Sequence, residues 1–205
     1  MAAIRQRRSS DAGRVAAICA PLERSASVQL ATAKSQAAAI AKTGAVMVRA
    51  IRGGKKIIWF GNGGSATQGQ HMAAEFVGRF LRERRSLPSI SLTENMASVT
   101  AIGNDYGFDQ IFSRQIEGLA QPGDVAVGLS TSGNSPNVIK GLAKARELGI
   151  RTVGLAGGSG GQMASLCETC ICVPSAVTAR IQEVHLAIGH ILCGLVEDGL
   201  ATGPR

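Results

Sequence analysis

The sequence is poor in aromatic residues and contains no long apolar run. Only 3% of its 205 residues are Phe, Trp or Tyr, which argues against an aromatic platform on which nucleic-acid bases would stack. The net charge of +8 comes without a recognisable nucleic-acid motif, so we predict no nucleic-acid partner. No apolar run reaches the roughly 18 residues that a membrane-spanning helix needs, so no membrane partner is predicted either.

The cysteines do not have the pattern of a disulfide framework. Their number is odd, five, and three of them are crowded into the stretch CETCIC at residues 167–172. One C-x-x-C without a second pair is weak evidence for a zinc site. We interpret the cysteines as reduced, buried, small apolar side chains, which predicts a cytoplasmic protein.

Basic residues cluster in two stretches, residues 5–14 and 79–85. The simplest interpretation is that both stretches are solvated faces of the protein. A net positive charge also steers small anions toward a cleft, so an anionic substrate is a second interpretation of the same charge.

Short apolar runs alternate with helical patterns along most of the chain. Five runs predict strands: KKIIWF, LPSISL, VAVGLS, IRTVGLAG and TCICVP. Helical patterns separate them, the first over residues 65–83 and another split at residues 103–105, and a long one over residues 177–200 follows the last strand. Continuous apolar strands between helices predict a five-stranded parallel sheet covered on both faces, a three-layer α/β/α fold. We expect one domain, residues 1–205, with its α/β core at residues 54–200.

The N-terminal region has the pattern of a helical extension. Apolar side chains recur at helical spacing over residues 11–52, and two glycines at 53–54 end the pattern. Pro21 disfavours helix at Ala20, so we expect two helical pieces to meet there. The apolar stripe has no evident partner within a doubly wound sheet. We therefore expect residues 1–53 to pack on a second copy of the chain.

The stretch STSGNS follows the third predicted strand and precedes a helix. Ligands of open parallel sheets bind beyond the carboxyl ends of the strands, and helix N-termini favour anions. Hydroxyl groups add hydrogen-bond donors, so we predict a phosphate site, although Ser135 could merely cap the helix. The stretch lacks the lysine of a nucleotide loop, and GNGGSATQG after the first strand is no dinucleotide fingerprint. The predicted phosphate therefore belongs to neither ATP nor NAD. The four hydroxyl side chains are Ser130, Thr131, Ser132 and Ser135.

All three histidines fall on two predicted helices. His71 and Glu75 are spaced i, i+4, which suits a divalent metal or a carboxylate that orients an imidazole. The last helix carries Gln182, His185 and His190, and for His185 we expect a structural role. Gln182 and His190 lie eight residues apart, about 12 Å along a straight helix. Either that helix bends or the site combines residues of two subunits.

Together these segments resemble the phosphoheptose isomerase family of the sugar isomerase (SIS) fold. The resemblance runs from about residue 50 to residue 200, and the combination of segments is specific, whereas STSGNS alone marks the wider superfamily. It implies flavodoxin-like winding and a homotetramer with active sites at subunit interfaces. The matching segments are GNGGSATQGQHMAAEFVGRF, VTAIGNDYGFDQIFSRQ, GDVAVGLSTSGNSPNVIKGL and ARIQEVHLAIGHILCGLVE.

The resemblance also implies residue roles. Glu75 and His190 match an acid–base pair, and one zinc ion per site is the implied cofactor. The implied zinc ligands are His71, Glu75, Gln182 and His190. The implied substrate contacts are Asn62, Gly63, Gly64, Ser65, Glu75, Asn104, Asp105, Ser130, Thr131, Ser132, Ser135 and Gln182.

The implied reaction is the conversion of sedoheptulose 7-phosphate to D-glycero-D-manno-heptose 7-phosphate through an enediol(ate). In the family this is the first step of nucleotide-activated heptose synthesis, for lipopolysaccharide or other heptosides. Such a proton transfer needs a base, a second group that moves protons at the oxygens, and a stabiliser of negative charge. Glu75 cannot easily be a tight zinc ligand and a free base at once.

Two positions depart from the family pattern, and two other functions stay open. Gln68 stands where relatives usually have Asp, and Ala179 stands where many have a polar or acidic residue. Both departures could alter hydroxyl contacts, which would favour an isomerase of another sugar phosphate. The other alternative is a non-catalytic SIS protein, such as one that binds the replication initiator DnaA.

Overall fold

The computed structural model describes the backbone of residues 2–201 and the side chains of residues 13–201. The strands are β1 (Ile57–Gly61), β2 (Ser89–Ser91), β3 (Val125–Ser130), β4 (Arg151–Gly157) and β5 (Thr169–Val173). The helices are α1 (Ala2–Arg52), α2 (Gly64–Val77), α3 (Met96–Tyr106), α4 (Ile111–Leu119), α5 (Pro136–Glu147), α6 (Met163–Leu166) and α7 (Thr178–Ala201), and a 3₁₀ turn spans Phe108–Gln110.

The five strands form one parallel sheet in the order β2-β1-β3-β4-β5. This confirms the predicted five-stranded parallel sheet and its flavodoxin-like winding. The chain adds strands on one side of β1 and then returns to the other side, so the strand order reverses between β1 and β3. Loops at such a reversal diverge and leave a crevice at the carboxyl edge of the sheet, where ligands of this fold class bind.

Two apolar cores cover the two faces of the sheet. Trp59 and Phe60 are neighbours in β1, point to opposite faces and are both fully buried. The core on the Trp59 side receives α1, α2 and α7, and the core on the Phe60 side receives α4 and α5. Helices therefore lie on both faces, as predicted, and α2 and α5 leave the central crevice on opposite sides.

The expected break in the N-terminal helix is absent, because α1 is one helix through Pro21. Proline removes a single backbone hydrogen bond, and the helix continues for many residues on both sides of it. The Pro21 carbonyl also accepts a hydrogen bond from Arg180 of α7, which ties this point of α1 to the domain. The helical extension is confirmed, whereas its division into two pieces is wrong.

The predicted helix over residues 65–83 ends early, at Val77. Gly78 follows, and the Arg84 guanidinium then takes over the exposed carbonyl groups. It donates to the carbonyls of Glu75 at 2.8 Å, Phe76 at 2.9 Å and Gly78 at 3.1 Å. A basic side chain at a helix C-terminus satisfies carbonyls that lack a partner within the helix.

The split that was predicted at residues 103–105, between two helical patterns, lies instead at Gly107, which has φ 92°.

The helix α7 is long and apolar enough to cross a membrane by length and composition alone. Its most apolar 18-residue window has a mean hydropathy of 1.3, although charged and polar residues interrupt every apolar run. In the structure 44% of that window is buried, against α1, α2 and the sheet. A single helix of this length and composition is weak evidence for a membrane span, because the core helix of a globular domain passes the same test.

All five cysteines are free thiols, but only Cys193 is buried. Burial, with the nearby carboxylates of Glu75 and Glu197, raises the pKa of the Cys193 thiol to about 12. The three thiols of CETCIC are partly buried, and Cys19 is exposed on α1. The expectation of buried cysteines therefore holds for Cys193 and is wrong for Cys19.

Pro21→Ala is expected to raise the free energy of unfolding by about 1–3 kcal/mol, because an interior proline costs a helix about 3 kcal/mol relative to alanine. Denaturant unfolding followed by circular dichroism measures the change. Ser27→Ala on the exposed face of α1 is the control and should stay within about 0.5 kcal/mol of the parent. A destabilised Pro21→Ala variant would show that α1 needs the proline.

Candidate active site

The stretch GNGGS becomes a tight turn between β1 and α2, which we call the glycine loop (residues 61–65). A Cβ atom on Gly61 would lie 2.8 Å from the carbonyl oxygen of Leu129 in β3, so the two backbones approach too closely for any other residue. Ser65 is buried, and its N–H donates to the Asn62 carbonyl at 2.9 Å. The loop thus delivers the first turn of α2 to the crevice.

Gln182 of α7 packs against the open side of the glycine loop. A Cβ atom on Gly64 would lie 2.7 Å from Gln182 Nε2, and Gly63 has φ 53° with open space around it. Gln68 donates through Nε2 to the Gln182 carbonyl, while its buried Oε1 has no hydrogen-bond partner among the described residues. The glycine loop, Gln68 and Gln182 therefore form one polar wall of the crevice.

The stretch STSGNS forms the opposite wall, which we call the serine loop (residues 130–135). Ser130 Oγ lies 2.8 Å from Ser135 Oγ and 3.4 Å from Ser132 Oγ. Ser135 occupies the N-cap position of α5, yet its side chain makes no capping hydrogen bond. The hydroxyl groups therefore face one another at a helix N-terminus, and capping does not account for Ser135.

The serine loop is fixed from behind by the turn after β4. A Cβ atom on Gly133, which has φ 66°, would lie 2.0 Å from the Gly160 carbonyl oxygen. Met163 N–H donates to the Gly133 carbonyl at 3.1 Å. A cavity of about 310 Å³ opens between the serine loop, the turn after β4 and the start of α7, and Thr131, Ser132 and Gly158 are among its lining residues.

An amide pair joins the two walls at the floor of the crevice. Asn62 Nδ2 donates to Asn137 Oδ1 at 2.8 Å, and Asn137 Nδ2 donates back to Asn62 Oδ1 at 2.8 Å. Asn137 is only 2% exposed and belongs to the first turn of α5. No sequence motif singles out Asn137. A polar residue in the first turn of a helix predicted to bind an anion was the only signal.

His71, Glu75 and His190 come together between α2 and α7. His71 Nε2 lies 3.2 Å from Glu75 Oε1 and 3.1 Å from His190 Nε2, and one donor atom of each residue lies within 4.8 Å of the others. Zinc–nitrogen bonds of 2.0–2.1 Å in a tetrahedron place two ligand atoms about 3.3 Å apart. The three donor atoms therefore fit a small divalent cation, and half of the His71 side chain remains open to solvent.

The segment after α2 packs against this group and is held there by one buried carboxylate. The Phe80 ring stacks on His190 with centroids 5.2 Å apart and planes 10° apart. Glu197, 3% exposed, accepts hydrogen bonds from the backbone N–H groups of residues 80–82 and from Arg84 Nε, all at 3.0 Å. Sequence patterns do not show these contacts, because Phe80 and Glu197 are 117 residues apart.

His185 stays outside the group. It is 1% exposed, and its Nε2 lies 3.2 Å from the Ala156 carbonyl oxygen. Burial lowers the pKa of His185 to about 4, against a weaker opposing effect of that hydrogen bond, so the imidazole is neutral near pH 7. Its position inside the core agrees with the expected structural role.

The remaining predicted site residues lie elsewhere in this chain. Asn104 and Asp105 are exposed at the end of α3, where Asn104 Nδ2 donates to Asp105 Oδ1 at 2.8 Å. Gln182 contacts Gly64, and it lies about 12 Å along α7 from His190. Within one chain, Gln182 therefore belongs to the polar wall and does not join the histidine group.

The comparisons with known proteins agree with this geometry. The SIS domain family model matches residues 22–157. The phosphoheptose isomerase of Rhodospirillum rubrum is 54% identical over 166 residues, which cover 81% of this chain and 88% of the relative. The chain belongs to the phosphoheptose isomerase family.

Two further members show how far the similarity extends through this family. The phosphoheptose isomerase of Aquifex aeolicus is 51% identical over 174 residues, covering 85% of this chain and 91% of the relative. The structure of phosphoheptose isomerase GmhA from Neisseria gonorrhoeae superimposes with a TM-score of 0.84 at 36% identity, covering 88% of this chain and 97% of that one. The chain is thus a sugar-phosphate isomerase, and the alternative of a non-catalytic interaction protein is set aside.

Glu197→Gln is expected to destabilise the isomerase by about 3–5 kcal/mol at pH 7, because it leaves the Arg84 charge buried without its partner. Burial opposes ionisation of Glu197, but the backbone N–H groups and Arg84 together hold the pKa of this carboxyl below its ordinary value of 4.5. A lowered carboxyl pKa gives stability that is complete above the unfolded-state pKa and disappears as the pH falls through the folded-state pKa.

Denaturant unfolding between pH 3 and pH 8, a range that includes the titration of carboxyl groups, tests this expectation. The parent protein should lose stability below about pH 4.5, and Glu197→Gln should flatten that slope. Glu168→Gln, which breaks the exposed pair with Arg151, is the control and should cost less than about 1 kcal/mol. Equal effects of the two substitutions would contradict the assigned role of Glu197.

Proposed function

We propose that the isomerase converts sedoheptulose 7-phosphate to D-glycero-D-manno-heptose 7-phosphate. The observation that best supports this is the convergence of His71, Glu75 and His190 in a chain 54% identical to a named phosphoheptose isomerase. Carboxylate and imidazole groups side by side are what a ketose–aldose proton transfer requires. Synthesis of nucleotide-activated heptose in the cytoplasm is the role that we infer for the product.

The serine loop would hold the phosphate of the substrate. Its hydroxyls are not used as helix caps, and they lie at the N-terminus of α5, where the helix dipole favours an anion. The net charge of +8 would help to draw in a dianionic substrate. The proposed phosphate contacts are Ser130, Thr131, Ser132 and Ser135.

The glycine loop would contact the sugar chain on the other side of the crevice. Its Gly63 and Gly64 leave room for a ligand near the backbone, and Gln182 closes that wall. Asn104 and Asp105 are proposed as sugar contacts on the family pattern, and their exposure leaves them available to a site shared with a second copy. The full glycine-loop set is Asn62, Gly63, Gly64 and Ser65.

Proton transfer would be divided between Glu75 and His190. The reaction moves a proton from C1 of the ketose to C2 through an enediol(ate), and a second proton passes between the two oxygens. Glu75 would take the proton from C1 and return it to C2, while His190 would serve the oxygens through Nδ1, because its Nε2 faces His71. Phe80, stacked on His190, limits the orientation of that imidazole.

His71, Glu75 and His190 would hold a zinc ion in the same group, and their donor atoms have the spacing for it. When bound, zinc would polarise the carbonyl and stabilise developing negative charge. Because Glu75 Oε1 faces His71, we assign Oε1 to the metal and Oε2 to proton transfer. Gln182 would complete the ligand set from a second copy, since within one chain it lies about 12 Å along α7 from His190.

A homotetramer would supply that second copy. Residues 1–53 would form its oligomerisation helices, and residues 54–200 would form the α/β core. The first half of α1 exposes an apolar stripe, and Ile191 beside His190 is 50% exposed. The stripe consists of Val15, Ile18 and Leu22, which are 58%, 63% and 66% exposed.

Ser132→Ala combined with Ser135→Ala is expected to raise the KM for sedoheptulose 7-phosphate by about 100-fold or more, because each hydrogen bond to a charged group contributes about 1.5–3 kcal/mol. Steady-state kinetics measure the change. Ser27→Ala combined with Ser35→Ala, both exposed on α1, is the matched control and should leave the KM unchanged. Equal KM values for the two double variants would contradict the proposal that the serine loop binds the phosphate.

Glu75→Gln is expected to lower kcat by about 10²–10⁴-fold, the usual contribution of a general base, while the oligomer stays intact. Turnover is measured on ketose phosphates of five, six and seven carbons, together with bound zinc by elemental analysis. Glu83→Gln, which changes a carboxylate with a 92% exposed side chain, is the control. A retained rate in Glu75→Gln would exclude Glu75 as the base, and preferred turnover of a shorter ketose phosphate would make that sugar the substrate.

A further inference from the structure

We propose that Asn137 is a positioning residue that acts through Asn62. Its side chain sets the separation between the glycine loop and the serine loop, and therefore the length of sugar phosphate that the site accepts. This inference rests on the proposed function, because it treats the two loops as the sugar and phosphate ends of one site.

The two loops leave the sheet from paired positions and then separate. Gly61, the last residue of β1, is in register with Leu129 of β3. Beyond this point the chain turns into α2 on one face and into α5 on the other. Backbone pairing therefore ends where the crevice begins, and side chains must determine how far apart the two helix N-termini stand.

The Asn62–Asn137 pair bridges that gap. The two amides exchange hydrogen bonds of 2.8 Å in both directions, so each side chain is donor and acceptor to the other. Asn137 Oδ1 also accepts the N–H of Val138 at 2.9 Å, and the Asn62 carbonyl accepts the N–H of Ser65 at 2.9 Å. The pair thereby connects the first turn of α2 to the first turn of α5.

Asn137 is too buried to touch a substrate, because only 2% of it is exposed. Asn62 is half-buried and retains one N–H and one oxygen lone pair after pairing with Asn137. Those two remaining groups can meet a sugar hydroxyl. Asn137 therefore influences the reaction only through the orientation and height of Asn62.

A buried amide also stabilises a fold simply by being satisfied, so the test must separate stability from positioning. Gln115 is the matched control. It is 7% exposed, and its Nε2 donates to the carbonyls of Leu92 at 3.0 Å and Ile111 at 2.8 Å. Its hydrogen bonds join α4 to Leu92, the residue after β2, and involve no residue of either loop.

The experiment is a double-mutant cycle of Asn62→Ala, Asn137→Ala and the combined variant. Asn137→Ala should lower kcat/KM for sedoheptulose 7-phosphate by about 10–100-fold, since a misplacement of about 1 Å can cost that much. The affinity for inorganic phosphate, measured by calorimetry, should change by less than about threefold because the serine loop is intact. The combined variant should be no worse than Asn62→Ala alone, because Asn137 acts through Asn62.

Selectivity for the chain length of the substrate is the measurement that a loss of stability alone would not change. In Asn137→Ala the preference for a seven-carbon over a five-carbon ketose phosphate should shrink, and in Gln115→Ala it should stay as in the parent. Asn137→Ser stays neutral and keeps a hydroxyl but is too short to exchange both hydrogen bonds with Asn62, so an intermediate selectivity is expected, and it serves if Asn137→Ala fails to fold. Unchanged selectivity, additive losses in the cycle, or an equal loss of phosphate affinity would overturn the proposal.

A failure of the proposed function can be distinguished from a failure of the role proposed for Asn137. If the parent protein does not turn over sedoheptulose 7-phosphate, calorimetric binding of five- and seven-carbon sugar phosphates to the Asn137 variants still measures whether the pair sets chain length. Loss of that length discrimination in Asn137→Ala would support the role of Asn137, and its retention would contradict it.

Discussion

The parallel pairing of β1 with β3 is the constraint on which the chemistry of this protein depends. The strand order reverses between these two strands, so their carboxyl ends meet and their following helices leave on opposite faces. A close approach of Gly61 to Leu129 permits no side chain at the end of β1. The crevice that results has a polar loop on each side and two helix N-termini at its base, and helix N-termini favour anions.

A second site lies along α2, where that helix runs beside α7. The two helices start together at Gly64 and Gln182, and farther along they bring His71 and His190 to 3.1 Å. One buried carboxylate, Glu197, then folds the segment after α2 back over the imidazole. The proposed phosphate loop and the proposed acid–base group at the other end would together fit a substrate that carries its phosphate far from its carbonyl.

Gln68, which stands where an Asp is expected in relatives, makes a hydrogen bond that depends on its amide group. Its Nε2 donates to the Gln182 carbonyl, an interaction that an aspartate carboxylate would not make. The buried Oε1 lacks a partner among the described residues, so an additional hydrogen-bond donor at this wall would be accommodated. For Ala179, in the first turn of α7, nothing in the structure explains the difference from the family pattern.

Local sequence determined the order of strands and helices, the parallel sheet, and the position of the serine loop. Apolar runs, helical periodicity and glycine-rich turns act over a few residues, and the sequence displays them directly. It also identified His71 and Glu75, because i, i+4 spacing alone puts two residues on one face. It misjudged the effect of Pro21, because one missing hydrogen bond is a small cost in a helix of 51 residues.

Only the tertiary structure decided which distant residues meet. The pairing of Asn62 with Asn137 and of Phe80 with His190 depends on how α2, α5 and α7 pack, and no local pattern encodes that packing. The early end of α2 has the same origin, because Arg84 and Glu197 supply hydrogen bonds that a local pattern cannot show. The sequence by itself determined which elements form and which of their residues are candidates for the site. Packing between elements far apart in the chain decided how those residues are held.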